Sequence, residues 1–259
     1  GSCTVLLGRC FKGKWTFEAI DSCIQYLYQI DGAHVITVEA VRSEHGLHPV
    51  QQALVDKMGS QCGYCTPGFV MALLALVEQQ QPLNRDVVEL GLTGNLCRCT
   101  GYQQIYDAAL SLDISRVPRL SERYQNRKID RELEKNSGTP ALIHASAELY
   151  GEKDMKAFLP VTLTDAVDFL EEHPESLLVA GGTDVSVKLN KKQLEHGTVL
   201  CLNHVEELKT LSLEGDTLTV GAGLNWTELE HYCKEKLPEF HKILKTFGSP
   251  QIRNAGTLA

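Results

Sequence analysis

The 259 residues correspond to two domains at about 100–200 residues each, with room for part of a third. Apolar residues make up 43% and charged residues 22%, a globular composition that excludes disorder of the whole chain. The net charge of −8 argues against nucleic-acid binding, and the longest apolar run, residues 69–77, is shorter than the roughly 20 residues of a membrane span.

The first 113 residues predict a mixed segment followed by a helical bundle. Apolar spacing predicts a helix over 21–30, and β-branched residues predict a strand over 35–41. Four helices are predicted after residue 44: from Pro49 to a C-capping Gly59, from an N-capping Thr66 to about Gln80, from an N-capping Asn84 to Leu90, and one after Cys99. We therefore separate residues 1–44 from an all-helical domain over 45–113.

The rest of the chain divides at a basic stretch. Over 114–156 arginine and lysine accumulate, which predicts a solvated linker; the alternative is a strap on an acidic partner subunit. Over 157–259 helix and strand signals mix, which predicts an α+β domain. Its predicted elements are a helix capped by Thr164, strands over 177–180, 198–202 and 217–220, and a helix capped by Asn225 with Glu228.

Nine cysteines carry the clearest chemical signal. Their odd number argues against a closed disulfide framework. Cys62 and Cys65 form one close pair and Cys97 and Cys99 another, a spacing typical of metal thiolates. Zinc and an iron–sulfur cluster both fit two such pairs, although a one-residue gap is less typical of structural zinc. Because thiolates persist in a reducing compartment, we expect a cytoplasmic protein.

The residues around these pairs resemble a known family. Gln-Cys-Gly-Tyr-Cys-Thr-Pro-Gly (61–68) and Gly-Asn-Leu-Cys-Arg-Cys-Thr-Gly-Tyr (94–102) are similar to the second [2Fe–2S] domain of the molybdenum hydroxylases, the xanthine dehydrogenase and aldehyde oxidase family. The resemblance implies that Cys62, Cys65, Cys97 and Cys99 hold one [2Fe–2S] cluster. It also implies that Gln61 and Cys99 approach a molybdopterin carried by another domain or subunit.

Cys3 and Cys23 take their meaning from the same resemblance. The opening Gly-Ser-Cys-Thr-Val (1–5) and Asp-Ser-Cys (21–23) resemble the third and fourth ligand positions of a plant-type [2Fe–2S] loop. The other two ligands are then expected before Gly1. Without the resemblance, two free buried cysteines are the simpler interpretation. Cys10 matches no ligand position and is expected to pack.

The last 100 residues resemble the family's FAD-binding domain. A Gly-Gly-Thr-Asp turn after a buried strand suits phosphate binding, although an ordinary tight turn has the same pattern. Residues 178–185 resemble the FAD pyrophosphate loop, and residues 247–257 resemble a second FAD segment. The implied FAD-binding residues are Leu178, Val179, Ala180, Gly181, Gly182, Thr183, Asp184, Val185, Phe247, Gly256 and Thr257.

The resemblance as a whole implies a multidomain α+β fold: a truncated β-grasp ferredoxin-like domain, an all-helical [2Fe–2S] bundle and the start of an α+β FAD-binding domain. The order is most similar to that of the bacterial xanthine dehydrogenase small subunit. The implied function is electron relay from a molybdenum cofactor on a large partner subunit, through two [2Fe–2S] clusters and FAD, to NAD.

The implied reaction converts xanthine or hypoxanthine and water to urate, with no general acid or base in this chain. Dimers of heterodimers are expected. An aldehyde or other N-heterocycle dehydrogenase, and a zinc-stabilised assembly module, are the alternatives.

Overall fold

The computed structural model describes residues 1–11, 14–44, 46–79, 81–124, 126–146, 154–195 and 197–259. These residues fall into two units. The first unit comprises Gly1–Cys23, Ala33–Arg131 and Lys245–Asn254; the second comprises Ile24–Gly32, Glu132–Leu244 and Ala255–Ala259.

The first unit begins with a small antiparallel sheet. Strands β1 (Thr4–Phe11) and β2 (Lys14–Asp21) pair over their whole length, and β3 (His34–Ile36) lies on the other edge of β1. Alternating residues of β2, including Trp15 and Phe17, are buried, as expected for a sheet with one covered face.

Two sequence predictions near this sheet are wrong. The helix predicted over 21–30 is replaced by two short 3₁₀ turns, Ser22–Ile24 and Leu27–Ile30. Tyr26 between them is extended, because its backbone N–H donates to the Gln29 side chain instead of continuing a helix. The strand predicted over 35–41 ends at Ile36, and another 3₁₀ turn, Val38–Ala40, follows.

Four helices follow β3, as predicted: α1 (Pro49–Asp56), α2 (Thr66–Glu78), α3 (Arg85–Gly91) and α4 (Gln103–Leu110). Every residue of α2 from Gly68 to Val77 is buried, and the helix packs against β1, β2, α1 and α3. A helix that is apolar on all sides is stable only inside a domain, so α2 forms the centre of the first unit.

The predicted caps of these helices are partly confirmed. Asn84 caps α3 as predicted, since its side chain accepts from the Val87 N–H. Cys65, not Thr66, is the N-cap of α2. The left-handed residue after α1 is Met58, with φ 54°, and the predicted Gly59 is not left-handed.

The segment predicted as a linker contains regular structure. It forms α5 (Leu120–Arg123), α6 (Arg127–Ser137) and strand β4 (Ala141–Ala145). Strand β4 is an edge strand, with register Ala141 opposite Leu159, so part of the predicted linker belongs to a sheet. The domain boundaries themselves stay a prediction.

The second unit is built on a mixed sheet of order β4-β5-β7-β6, with β5 (Met155–Leu159), β6 (Leu177–Val179) and β7 (Thr198–Cys201) parallel where they pair. Helices α7 (Leu163–Glu172) and α8 (Val185–Asn190) connect the strands. The sheet buries an apolar cluster that consists of Tyr28, Ala157, Leu159, Val179, Val199 and Cys201.

The C-terminal part adds a hairpin and three helices. These are β8 (Leu211–Glu214), β9 (Thr217–Val220), α9 (Trp226–Lys236), α10 (Pro238–Leu244) and, in the first unit, α11 (Pro250–Ala255). Asn225 and Glu228 form the predicted capping box of α9. The cap of α7 is Thr162 with Asp165, not Thr164, because the Thr162 hydroxyl accepts from the Asp165 N–H. No helix in the described ranges is long and apolar enough to cross a membrane.

We expect Met58→Gly to stabilise the end of α1. Met58 is 74% exposed and has a left-handed backbone, which costs an L-residue about 1–2 kcal/mol. Glycine removes this cost, but its greater backbone entropy in the unfolded chain offsets part of the gain. The expected gain is about 0.5–1 kcal/mol in the local opening free energy, measured by native-state hydrogen exchange of the Gly59 N–H, which bonds to Leu54 O.

Lys57→Gly is the matched control for this variant. Lys57 has φ −94°, so glycine relieves nothing there and the same amide should exchange faster. Equal weakening by both substitutions would contradict the argument.

Candidate functional site

Four cysteines come together as two pairs in the first unit. The turn before α2 presents Cys62 and Cys65, and the turn before α4 presents Cys97 and Cys99. The Sγ atoms of Cys62 and Cys99 are 3.5 Å apart, and the thiols of Cys65 and Cys97 are hydrogen-bonded. Two thiolates on one tetrahedral metal with bonds of about 2.3 Å lie about 3.7 Å apart. The Cys62–Cys99 separation therefore fits two ligands of one metal, and the hydrogen-bonded Cys65 and Cys97 form a second thiol pair.

The described residues contain no group of three or more His, Cys, Asp and Glu side chains placed to hold one metal ion.

Cys97 lies in a hydrogen-bonding environment that favours its thiolate. Its sulfur accepts from the Thr100 hydroxyl at 3.1 Å and from the Thr100 N–H at 3.5 Å, while its own N–H donates to Tyr102 Oη. Burial alone raises the pKa of Cys97, but the Thr100 donors outweigh it and lower the pKa to about 7. Cys65 lacks these donors, and burial raises its pKa to about 11.

The other thiol pair, Cys62 and Cys99, is more exposed. Cys62 and Cys99 are exposed, as is Gln61, the residue predicted to approach a pterin. Tyr64 is 82% and Leu96 75% exposed, although both are large apolar side chains beside these cysteines.

Cys3 and Cys23 are brought together by the register of the first hairpin. Thr4 pairs with Asp21, so the cysteines just outside this pair approach each other, with Sγ atoms 3.2 Å apart. The Ser22 N–H and hydroxyl both donate to Cys3 O and fix the turn. Burial raises the pKa of Cys23 to about 11, and the neighbouring Cys3 thiol contributes to the shift. Both residues were predicted ligands, and the structure places them as a third thiol pair.

The predicted flavin loop lies in the second unit, where β6 ends. Leu178 and Val179 belong to β6, Ala180 to Asp184 form the turn, and Val185 begins α8. A Cβ on Gly181 would lie 2.3 Å from Ala255 O, and the Gly181 N–H donates to Thr257 Oγ1 at 3.1 Å. Gly182 has φ +72°. The loop therefore needs both glycines, and Gly256 and Thr257, two other predicted flavin residues, lie against Gly181.

Two predicted flavin residues contribute differently. Asp184 is exposed, and its carboxylate pairs with Lys188 at 2.6 Å. Phe247 belongs to the first unit, where its carbonyl accepts from Arg253 Nη1 at 3.0 Å. Gly181 and Gly182, the glycine cradle, are thus needed for close packing of this turn against Ala255 and Gln29, and its role in binding phosphate stays a prediction.

Gln29 holds this loop from inside and was missed in the sequence. It is completely buried, and its Nε2 donates to Ala180 O and to Gly181 O, both at 3.2 Å. Its Oε1 accepts from the Tyr26 N–H at 2.9 Å, so the amide is saturated on both sides. The signal was available: a glutamine within the apolar stretch 26–30 has to satisfy its amide somewhere.

Two family models match the chain. The [2Fe-2S] binding domain matches residues 37–110, and the FAD binding domain in molybdopterin dehydrogenase matches residues 153–259. The xanthine dehydrogenase of Emericella nidulans is 29% identical and the aldehyde oxidase of Homo sapiens 28%, each over all of this chain and 23% of the relative. The quinoline 2-oxidoreductase of Pseudomonas putida 86 is a similar solved structure, with a TM-score of 0.38, 25% identity, and coverage of 52% of this chain and 70% of that chain.

These matches define the class of protein: a chain with a [2Fe-2S] binding domain and an FAD binding domain. The chain belongs to the molybdenum hydroxylase family, and it spans 23% of the length of the curated relatives named above. The family and the multidomain α+β fold predicted from the sequence are confirmed. The assignment of individual ligands stays a prediction, which the thiol pairs and the glycine cradle support.

We expect Gln29→Leu to loosen the flavin loop. The change removes the donor to the buried Gly181 carbonyl and to the part-buried Ala180 carbonyl, and a buried carbonyl left without a donor costs about 1–3 kcal/mol. Native-state hydrogen exchange of the Ser186 N–H, which bonds to Gly182 O, should report a local opening free energy lower by about 2 kcal/mol.

Gln25→Leu is the matched control for Gln29→Leu. Gln25 Nε2 is buried without a hydrogen-bond partner among the described residues, so its loss should be neutral or stabilising. The role given to Gln29 is wrong if the two variants leave the loop equally protected.

Proposed function

We propose that this chain is the electron-relay part of a molybdenum hydroxylase, taking electrons from a molybdenum cofactor bound elsewhere and passing them to FAD. The observation that carries the proposal is the pairing of Cys62 with Cys99 and of Cys65 with Cys97. Two thiol pairs fit the two irons of a [2Fe–2S] cluster. The match of this region to a [2Fe-2S] binding domain supports the same assignment.

The thiols take the role of cluster ligands in this proposal. Cys62, Cys65, Cys97 and Cys99 hold one [2Fe–2S] cluster, and Cys3 and Cys23 supply two ligands to the other. Bound clusters and flavin supply the redox chemistry, one electron at a time at iron and two at the flavin. The Thr100 hydroxyl and N–H stabilise negative charge on Cys97. The chain thus holds the centres and adjusts their potentials.

The second unit takes the role of the flavin site. The turn at Gly181 and Gly182 would hold a pyrophosphate; Gly182 supplies the left-handed backbone of that turn, and Gln29 fixes its Ala180 and Gly181 carbonyls. Thr257 fixes Gly181 through its hydroxyl. The match of residues 153–259 to an FAD-binding domain supports this role.

The exposed residues beside Cys62 and Cys99 are the proposed docking surface for the molybdopterin-bearing large subunit. Gln61 and Cys99 would face the pterin, while Tyr64 and Leu96 would be covered by the partner. Pairing of two such heterodimers and a cytoplasmic location complete the proposal.

Xanthine or hypoxanthine is the proposed substrate and NAD the proposed acceptor. The relative from Emericella nidulans, named xanthine dehydrogenase, supports this choice. The human relative at 28% identity is named aldehyde oxidase and favours an aldehyde or another N-heterocycle as the second candidate. Anaerobic addition of xanthine to the holoenzyme separates the two, because bleaching of iron–sulfur and flavin absorption requires the right reductant.

We expect Cys65→Ser to interrupt the relay without emptying the flavin site. In the holoenzyme, FAD content should stay normal and NADH should still reduce the flavin, whereas turnover from substrate to NAD should stop because one iron loses a thiolate. Stopped-flow absorbance and iron analysis measure both. Cys10→Ser is the control, since Cys10 belongs to none of the thiol pairs. Normal turnover of Cys65→Ser would refute the assignment.

We expect Thr100→Val to lower the reduction potential of the cluster held by Cys97. Removing the 3.1 Å hydroxyl donor leaves more negative charge on sulfur, which disfavours adding an electron. A hydrogen bond of about 1 kcal/mol corresponds to a shift on the order of 40 mV for one electron, measurable by redox titration followed by EPR. Thr100→Ser keeps the donor and should keep the potential. A shift of equal size in both variants would contradict this explanation.

A further inference from the structure

Three buried polar side chains form a hydrogen-bonded triad in the first unit. Thr4, Asn95 and Gln251 are 3%, 2% and 0% exposed. Asn95 Nδ2 donates to Thr4 Oγ1 at 3.2 Å, and Gln251 Nε2 donates to Asn95 Oδ1 at 2.8 Å and to Thr4 Oγ1 at 3.3 Å. The Thr4 hydroxyl in turn donates to Gly1 O at 2.6 Å. Each member of the triad therefore contacts the other two.

The triad joins three segments that are far apart in the sequence. Thr4 follows the predicted ligand Cys3 directly, and Asn95 precedes the predicted ligand Cys97 by two residues. Gln251 lies in α11, within the stretch that resembles the second FAD segment. One set of hydrogen bonds thus joins the loop of Cys3, the loop of Cys97 and the segment that resembles the second FAD segment.

Three glycines bring the backbones together at the same place. A Cβ on Gly94 would lie 2.1 Å from Gln251 Oε1, and one on Gly68 would lie 2.0 Å from Gly1 O. A Cβ on Gly1 would lie 2.2 Å from Gly94 O. Gly68 follows Cys65 by three residues and Gly94 precedes Cys97 by three. The segment at Gly1 and the segments at Gly68 and Gly94 are therefore packed backbone to backbone, too closely for a side chain to lie between them.

Stability alone does not explain a polar junction here. Gln251 Oε1 is buried without a hydrogen-bond partner among the described residues, and an apolar side chain would avoid that cost. A buried polar network also fixes one geometry, because each hydrogen bond forms only within a narrow range of distances and angles.

We propose that the Thr4–Asn95–Gln251 triad positions the two [2Fe–2S] clusters relative to each other and sets the electronic coupling between them; this rests on the proposed function. One connection runs from Cys97 through Leu96 to Asn95, across the hydrogen bond between Nδ2 and Oγ1, and from Thr4 to Cys3; Asn95 Nδ2 also donates to Gly1 O at 3.0 Å. In the transfer, the cluster at Cys97 loses one electron and the cluster at Cys3 gains it; no bond forms or breaks. Thr4, Asn95 and Gln251 are positioning residues.

Thr4→Val in the holoenzyme tests the proposal, because valine keeps the shape of threonine and removes its hydroxyl. EPR spectra with both clusters reduced show the magnetic interaction between them as a splitting, and rapid-freeze EPR gives the rate of electron passage. We expect normal iron and FAD content, an altered splitting and a severalfold slower passage between clusters. Thr4→Ser restores the hydroxyl and should restore both readouts.

Gln251→Met is a second variant, which tests the proposal even if Thr4→Val loses a cluster. It removes the donor to Asn95 and Thr4 from a position that adjoins no predicted ligand, and the same change in splitting is expected. Unchanged splitting and passage in a variant with full iron would overturn the inference. A wild-type holoenzyme that contains zinc and no iron would overturn the proposed function, and this inference with it.

Discussion

The close approach of backbone segments is the constraint on which both candidate sites depend. Thiol pairs form only if the turns that carry them come within a few ångströms, and the structure achieves this where Gly1, Gly68 and Gly94 leave no Cβ between the segments. The flavin loop follows the same rule, because Gly181 lies against Ala255 O and Thr257. The cysteines and the phosphate-type loop carry the chemistry, and the glycines set where that chemistry can be placed.

Buried amide side chains fix what the glycines allow. Backbones in close contact could still slide along each other, since van der Waals contact has little directional preference. Gln29 removes that freedom at the flavin loop by donating to two successive carbonyl oxygens, and Gln251 removes it between the cluster loops by donating to Asn95 and Thr4. In both units a single glutamine joins segments that the sequence separates by more than 100 residues.

The sequence predicts what depends on local pattern. The cysteine spacing indicates the thiol pairs, and Asn84, Asn225 and the apolar run of α2 predict their helices, because capping and periodicity act within a few residues. Two cap positions were wrong by one or two residues. Cys65 precedes α2 without a side-chain cap hydrogen bond, and Thr162 caps α7 two residues before Thr164, which carries the same hydroxyl group. Strand β4 was missed because its partner β5 follows a polar, charged stretch. The Gln29 contacts and the triad were missed because a buried polar side chain shows its need for a partner but not the partner's place.

Cys97 and Cys65 carry the same thiol group, but their surroundings give the two thiols different pKa values. Cys97 is the most buried of the four cysteines, yet its pKa falls to about 7 because hydrogen bonds to its sulfur, first those from Thr100, together outweigh burial. Cys65 is less buried and has a raised pKa, since burial acts there without such donors. Hydrogen bonds to sulfur therefore outweigh burial at one ligand and not at the other. A cluster held by Cys65 and Cys97 would be asymmetric in its hydrogen bonds, because Thr100 donates to Cys97, the sulfur on the side of Asn95. Since Asn95 leads to Thr4, the same short stretch of chain would adjust the potential of one cluster and fix its position relative to the next.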